Sequence, residues 1–311
     1  MRRSWAWLAI GALLLLGCCV FGCVGLLVIS RTMSTALPLG DAVGIVYIEG
    51  PITMGYARSS GEAAYSETIV EYLREATADS SIKAIVLRVE SPGGSVVASR
   101  EIYDAVAAAR AKGKPVIASM GETAASGGYY VSAGADKIYA EAATITGSIG
   151  VISVIPNVEG LADKVGIKMI VIKSGAHKDE SYGFRDLTPD ERGIWQAVIN
   201  EAYEDFTGIV ASGRHMDIAA VKKLADGRIY TGKQAKDNGL VDEIGGLDAA
   251  VDAAAKAAGI SGTPRRVKYR LNPGLLESLT STFSPGSAIR DVTELFDMHQ
   301  WGRVMYLYVA P

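Results

Sequence analysis

Beyond Cys23 the chain has no cysteine: Cys18, Cys19 and Cys23 all fall in the first apolar stretch of the 311 residues. A disulfide framework, a thiolate zinc site and a cysteine nucleophile are therefore excluded from everything downstream. Histidine is scarce as well, with His177, His215 and His299 the three copies, so few imidazoles are on offer as a base. No excess of either charge exists, since 31 basic and 34 acidic residues leave a net charge of −3. That balance excludes the clustered basic surface a nucleic-acid partner would need. No Gly-Lys-Ser/Thr follows any glycine-rich turn, which excludes a nucleotide loop, and no repeat of solenoid length occurs. What remains is a hydrophobic share of 49% with 35 glycines, a composition of folded α/β proteins.

Charge is absent altogether from Trp5 to Ser30. A helix of about 25 residues at about 1.5 Å each crosses the ~30 Å hydrocarbon layer with some tilt. Arg2 and Arg3 precede it and Arg31 alone follows, so the positive-inside rule places the amino terminus in the cytoplasm and the body outside. The apolar region of a cleaved signal peptide is shorter, about 7–15 residues. The expected organisation is a cytoplasmic tip and transmembrane anchor over residues 1–34, a catalytic domain over 41–260 and a tail over 261–311.

The body alternates strand-like and helix-like patterns. Val43–Ile48, Ile82–Val89, Pro115–Ser119 and Lys168–Ile172 are apolar, β-branched runs that predict strands. Ser66–Ala78, Ser95–Ala111, Ala124–Ala133, Pro189–Ser212 and Leu247–Ala258 read as helices. Repeated β-then-α alternation predicts a mainly parallel sheet covered by helices. From Gly262 three prolines punctuate a polar tail that reads as an appendage and closes on Met305-Tyr306-Leu307-Tyr308-Val309-Ala310-Pro311.

Two glycine-rich turns carry the candidate chemistry. Ser91-Pro92-Gly93-Gly94-Ser95 lies between a strand and a helix, where paired glycines free backbone amides for a developing oxyanion. Ala125-Ser126-Gly127-Gly128-Tyr129-Tyr130 offers an accessible serine hydroxyl with the Gly127 amide beside it. Either segment alone also reads as a plain connection or a tight helix contact. A serine nucleophile needs a base, and Lys173-Ser174-Gly175-Ala176-His177-Lys178-Asp179 supplies two candidates. Lysine is a feeble base at its reference pKa of ~10.4, but burial and like charge lower it by several units. Side-chain chemistry alone leaves His177 and Lys178 both open.

These three segments, in this order, resemble signal peptide peptidase A in its short form. So do Thr146-Gly147-Ser148-Ile149-Gly150-Val151, Asp226-Gly227-Arg228-Ile229-Tyr230-Thr231-Gly232 and Gly239-Leu240-Val241-Asp242-Glu243-Ile244-Gly245. The resemblance implies an α/β fold of the crotonase and Clp-protease kind. It implies Ser126 as nucleophile, Lys178 as general base and Gly94 and Gly127 as oxyanion donors, with Gly93 the alternative donor. Ser148 is then expected to orient Lys178, and His177 becomes a neighbour. No cofactor or metal is implied. The implied function is a membrane-bound serine endopeptidase that degrades signal peptides and other envelope peptides, preferring small or apolar residues at the cut. The implied partners are those peptides, the lipid bilayer and further copies of the chain in a ring that completes each dyad. The apolar carboxyl end is expected to enter an active site as a peptide product does. The competing readings are a crotonase-like acyl-CoA enzyme and a catalytically silent membrane scaffold.

Overall fold

The computed structural model describes residues 40–57, 63–270 and 304–308. The chain divides into Met1–Gly40 and Asp41–Pro311, and the fold is that of the second unit. The expected span over residues 5–30 lies outside the described residues. Among the described residues no helix is long and apolar enough to cross a membrane.

In chain order the elements begin with β1 (Ala42–Glu49), β2 (Ile52–Thr53), β3 (Ala64–Tyr65), α1 (Ser66–Ala78), β4 (Ile82–Ser91) and β5 (Gly93–Ser95). Next come α2 (Val96–Ala111), β6 (Val116–Ala125), α3 (Gly127–Ser132), β7 (Lys137–Ala140), β8 (Ile145–Gly147) and α4 (Glu159–Lys164). They are followed by α5 (Pro189–Arg214), α6 (Ile218–Leu224), β9 (Ile229–Thr231), α7 (Gly232–Asp237), β10 (Glu243–Ile244) and α8 (Leu247–Ala257). The last two are β11 (Arg265–Tyr269) and β12 (Met305–Leu307). The main sheet runs β10-β7-β6-β4-β1-β11, parallel throughout, with β8 alongside the far end of β6 and β9 antiparallel to β8. A small sheet, β12-β5-β2-β3, stands beside it.

The period-2 pattern of the central strands explains why both faces are covered. In β1, Ala42, Val46 and Ile48 pack into the layer of α1 and α2, while Val43 and Ile45 pack against α8. β4 divides likewise, with Ile85, Leu87 and Val89 on the first face and Ala84 and Val86 on the second. Ile69, Leu73 and Ala76 form the buried stripe of α1 at helical spacing. Each fully buried Ile or Leu contributes roughly 1.5–3 kcal/mol. The start of α5 is written in sequence: Thr188 and Glu191 make a reciprocal capping box with Pro189 in the first turn. The end of α5 is clamped to the sheet, because Arg214 donates to both carboxylate oxygens of Asp242 at 2.8 and 2.6 Å. Asp242 Oδ2 also accepts from the Ile138 amide at 2.7 Å. Burial pushes Asp242 upward, but the guanidinium and the amide outweigh it and leave its pKa lowered.

Three segments depart from the sequence reading. Ala124 and Ala125 belong to β6 and not to a helix, because they pair with Ser91 and Gly147 in the neighbouring strands. Lys168–Ile172 forms no strand: it has no ladder partner, and Ile170 and Ile172 are 87% and 97% exposed. Arg265–Tyr269, in the segment read as a tail, extends the main sheet as β11 beside β1.

Candidate active site

β6 delivers Ser126 to the junction with α3. Ser126 has φ 53° and ψ −114°, a backbone conformation that side-chain-bearing residues rarely adopt and that clusters at functional sites. Its amide donates to the Gly147 carbonyl at 2.8 Å and its carbonyl accepts from the Tyr130 amide at 2.8 Å. Those two bonds over-determine the turn. The residue is 1% exposed, and among the described residues its Oγ has no hydrogen-bond partner. A buried hydroxyl left unpartnered is costly in a purely structural role.

The glycine-rich turn after β4 folds onto this point. A methyl at Gly93 would collide with the Tyr306 carbonyl and come within 2.5 Å of the Gly127 amide nitrogen and 3.1 Å of Ser126 Cβ. A methyl at Gly127 would lie 3.1 Å from the Gly94 amide nitrogen. The backbone nitrogens of Gly94 and Gly127 thus lie close together beside the serine. Gly93 is otherwise engaged, since its amide donates to Ser91 Oγ at 3.1 Å.

The other matched segments close around the same point. β8 carries Gly147, the acceptor for the Ser126 amide, and Ser148 follows with φ 48° and its amide donating to Arg228 O at 2.8 Å. An open cavity of about 750 Å³ lies between Ser148, Val151, Tyr203, Arg228, Leu307 and Tyr308. Lys178 is not in contact with the serine. It sits exposed in a turn, its amide donating to Gly175 O at 3.3 Å, and Ser126 Oγ has no partner among the described residues. His177 faces away toward Asp190 and Glu191, at 3.5 and 3.6 Å.

The turn bearing Lys178 is pinned by an ionic network. Arg185 donates to Asp179 Oδ1 and Glu191 Oε1, each at 2.6 Å, and Lys173 donates to Asp179 Oδ1 at 2.6 Å. Arg185 and then Lys173 hold Asp179 well below the usual carboxylate range, and Arg185 with the Thr188 amide does the same for Glu191. His177, Glu180 and Glu191 have ligand atoms within 4.8 Å of one another, but Arg185 already occupies both Glu191 oxygens. Because both carboxylates bind protons more weakly folded than unfolded, the network's contribution is complete above their ordinary values near ~4. It is lost only as pH falls through the lowered values. Limited proteolysis of residues 173–188 is therefore expected to leave the wild type intact at pH 5 as at pH 7. Arg185→Ala is expected to be cut at both, roughly 10-fold faster; equal cutting of the two proteins would remove the network's role.

A part of the site that sequence reasoning missed is aromatic. β12 lies against β5 in antiparallel register, Tyr306 opposite Gly94, and the Tyr306 ring stacks on Tyr130 at 4.9 Å. The doubled tyrosine after Ser126-Gly127-Gly128 was the available signal. Tyr129 donates to Leu240 O at 2.9 Å, whereas Tyr130 donates to Asp205 Oδ2 at 2.6 Å.

Comparison with known proteins adds an independent observation. The family model for peptidase family S49 matches residues 108–261, and that for Clp protease matches residues 50–146. A Methanocaldococcus jannaschii protein provisionally named a protease is 39% identical over 245 residues, covering 76% of this chain and 77% of that one. The chain belongs to peptidase family S49. Other S49-like relatives are an Enterococcus faecium protein provisionally named signal peptide peptidase SppA, 43% identical over 197 residues, and Protease 4 of Haemophilus influenzae, 42% identical over 214. These alignments cover 63% and 69% of this chain but 57% and 34% of the relatives, so the chain spans about half their length or less. The mainly parallel sheet is consistent with the Clp-protease-like fold of the second match.

Proposed function

We propose that this chain is a membrane-bound serine endopeptidase in which Ser126 attacks the peptide carbonyl and Lys178 serves as general base. The carrying observation is Ser126 itself: buried, held at positive φ, its hydroxyl without a partner among the described residues and close to the backbone nitrogens of Gly94 and Gly127. In the first step the Ser126 Oγ–carbon bond forms as its proton passes to the neutral Lys178 amine. The Gly94 and Gly127 amides hold the oxyanion. The lysine then gives that proton to the leaving amine as the C–N bond breaks, and water repeats the sequence on the acyl-enzyme. Ser148 is the candidate to orient the lysine, being the residue immediately after the strand that flanks Ser126.

The lysine is expected to come from a neighbouring copy in a ring. Lys178 follows an apolar run in which Ile167, Met169, Ile170 and Ile172 are exposed. A second copy laid over that run would give it the ladder partner it lacks. It would also take an ammonium out of water, the condition under which an amine releases its proton near neutrality. The substrates are proposed to be signal peptides and other envelope peptides, in keeping with the printed name of the Enterococcus relative. Residues 5–30 would anchor the chain, amino terminus in the cytoplasm and catalytic unit outside.

A fluorophosphonate probe is expected to label wild-type protein at Ser126 and to leave Ser126→Ala unlabelled, with peptide cleavage lost in step. His177→Ala is expected to keep most of its activity. Labelling that persists in Ser126→Ala, or loss with His177→Ala alone, overturns the assignment.

A further inference from the structure

Residues 173–188, which carry Lys178, form neither helix nor strand, and residues 173–178 are exposed throughout. Inside the segment the backbone offers little support. The amides of Lys178, Glu180 and Tyr182 donate to Gly175, His177 and Asp179 at 3.3, 3.4 and 3.2 Å. A further bond, from the Val158 amide to Gly183 O at 2.7 Å, leads only to the start of α4, which buries none of its residues. What holds the turn is one guanidinium. Arg185 Nη2 donates to Asp179 Oδ1 and Glu191 Oε1 at 2.6 Å each, while Nη1 donates to Glu191 Oε2 at 2.7 Å and to Asp186 O at 3.0 Å. Its Nε reaches Asp179 Oδ2 at 3.3 Å. Both carboxylates are buried, Asp179 at 7% exposure and Glu191 at 2%.

Each end of this fork matters. Glu191 sits in the first turn of α5, where it closes the capping box with Thr188. Farther along, α5 packs Phe206, Ile209 and Val210 into the core, and Arg214 fastens its end to Asp242. A chain of rigid parts therefore runs from the main sheet through α5, Glu191 and Arg185 to Asp179, the residue next to Lys178. Charges taken out of water in this way are poor stabilisers, because desolvation offsets most of their attraction. What a planar, bidentate fork does well is fix a position. The lysines of the turn differ in the same sense. Lys173 is paired with Asp179, whereas Lys178 has no carboxylate partner among the described residues. Without Arg185, Asp179 would be freer to meet the adjoining ammonium, and an opposite charge favours the protonated amine over the base.

We propose that Arg185 is a positioning residue: through Asp179 it holds the backbone of Lys178 where the lysine reaches Ser126 of the neighbouring copy. The inference rests on the peptidase reading with a dyad shared between copies. It makes the effect of Arg185 directional. The arginine serves the chain that gives the lysine and does nothing for the chain that gives the serine. A contribution to folding alone would draw no such distinction.

Full-length chains of two kinds test it. Ser126→Ala chains still give the lysine, Lys178→Ala chains still give the serine, and the two are co-expressed and purified as mixed assemblies whose size is checked by light scattering. Arg185→Ala is then added to one kind or the other. On the lysine-giving chain it is expected to lower kcat about 100-fold against the unmodified mixture, the cost of a misplacement near 1 Å. KM should stay within about 3-fold, because the base acts in the transition state. On the serine-giving chain, whose turn has already lost its lysine, no comparable loss is expected. Arg185→Lys keeps the charge without the fork and serves where the alanine chain fails to assemble. Its expected loss is roughly 10-fold, again on the lysine-giving chain alone. Equal losses from either chain, or no loss from both, overturn the inference and leave the shared dyad standing. Unmodified mixtures without activity overturn the shared dyad and the inference together.

Discussion

Co-expressed Ser126→Ala and Lys178→Ala chains are expected to recover peptide hydrolysis that neither variant possesses alone. Each single variant should lose roughly 10⁴–10⁶-fold in kcat, because nucleophile and base act as a unit and losing one forfeits most of what both supply. In a ring where one copy gives the serine and the next the lysine, random mixing makes about a quarter of the sites wild type at both positions. The expected recovery is therefore about a quarter of wild-type activity, read as kcat on purified mixed assemblies. The basis is spatial: Ser126 Oγ has no partner among the described residues, and Lys178 lies in an exposed turn. Verified mixed assemblies that stay inactive would place both groups in one chain or discard the lysine.

The second large effect is expected from a single methyl at Gly127. A Cβ there would stand 2.6 Å from Ser99 Oγ, 3.0 Å from Gly93 Cα and 3.1 Å from the Gly94 nitrogen. The buried serine can give way only by rotating, and the backbone of Gly93 and Gly94 cannot give way at all without moving the amide proposed as an oxyanion donor. Loss of one such donor costs about 10²–10³ in kcat. Gly127→Ala is thus expected to lower kcat by that amount while KM changes little, with the thermal midpoint as the check that the fold survives. A variant with normal kcat would exclude this amide from the reaction.

The sequence was most legible where local pattern and tertiary environment agree. Val43–Ile48 and Ile82–Val89 are strands because their alternate residues meet two different helix layers, and the helical pattern over Pro189–Ser212 returns as α5. The segment around Ser126 was half legible. Its serine and glycines stood out, but Ala124 and Ala125 carry no β-propensity, and only the ladder to Ser91 and Gly147 makes them strand. Lys168–Ile172 shows the reverse, a run with every local feature of a strand and no neighbour to pair with. The aromatic part of the site was illegible for a different reason. Tyr130, Phe206 and Tyr306 are scattered over the chain, and only the fold collects them.

The backbone at Ser126 carries a standing cost. A non-glycine residue held in that region costs on the order of 1–3 kcal/mol, and glycine would bear it with far less strain. Natural drift toward a sturdier molecule therefore pulls against the hydroxyl at this one position. If Ser126 is the nucleophile as proposed, a lineage that kept the fold but abandoned cleavage would be free to let the hydroxyl go.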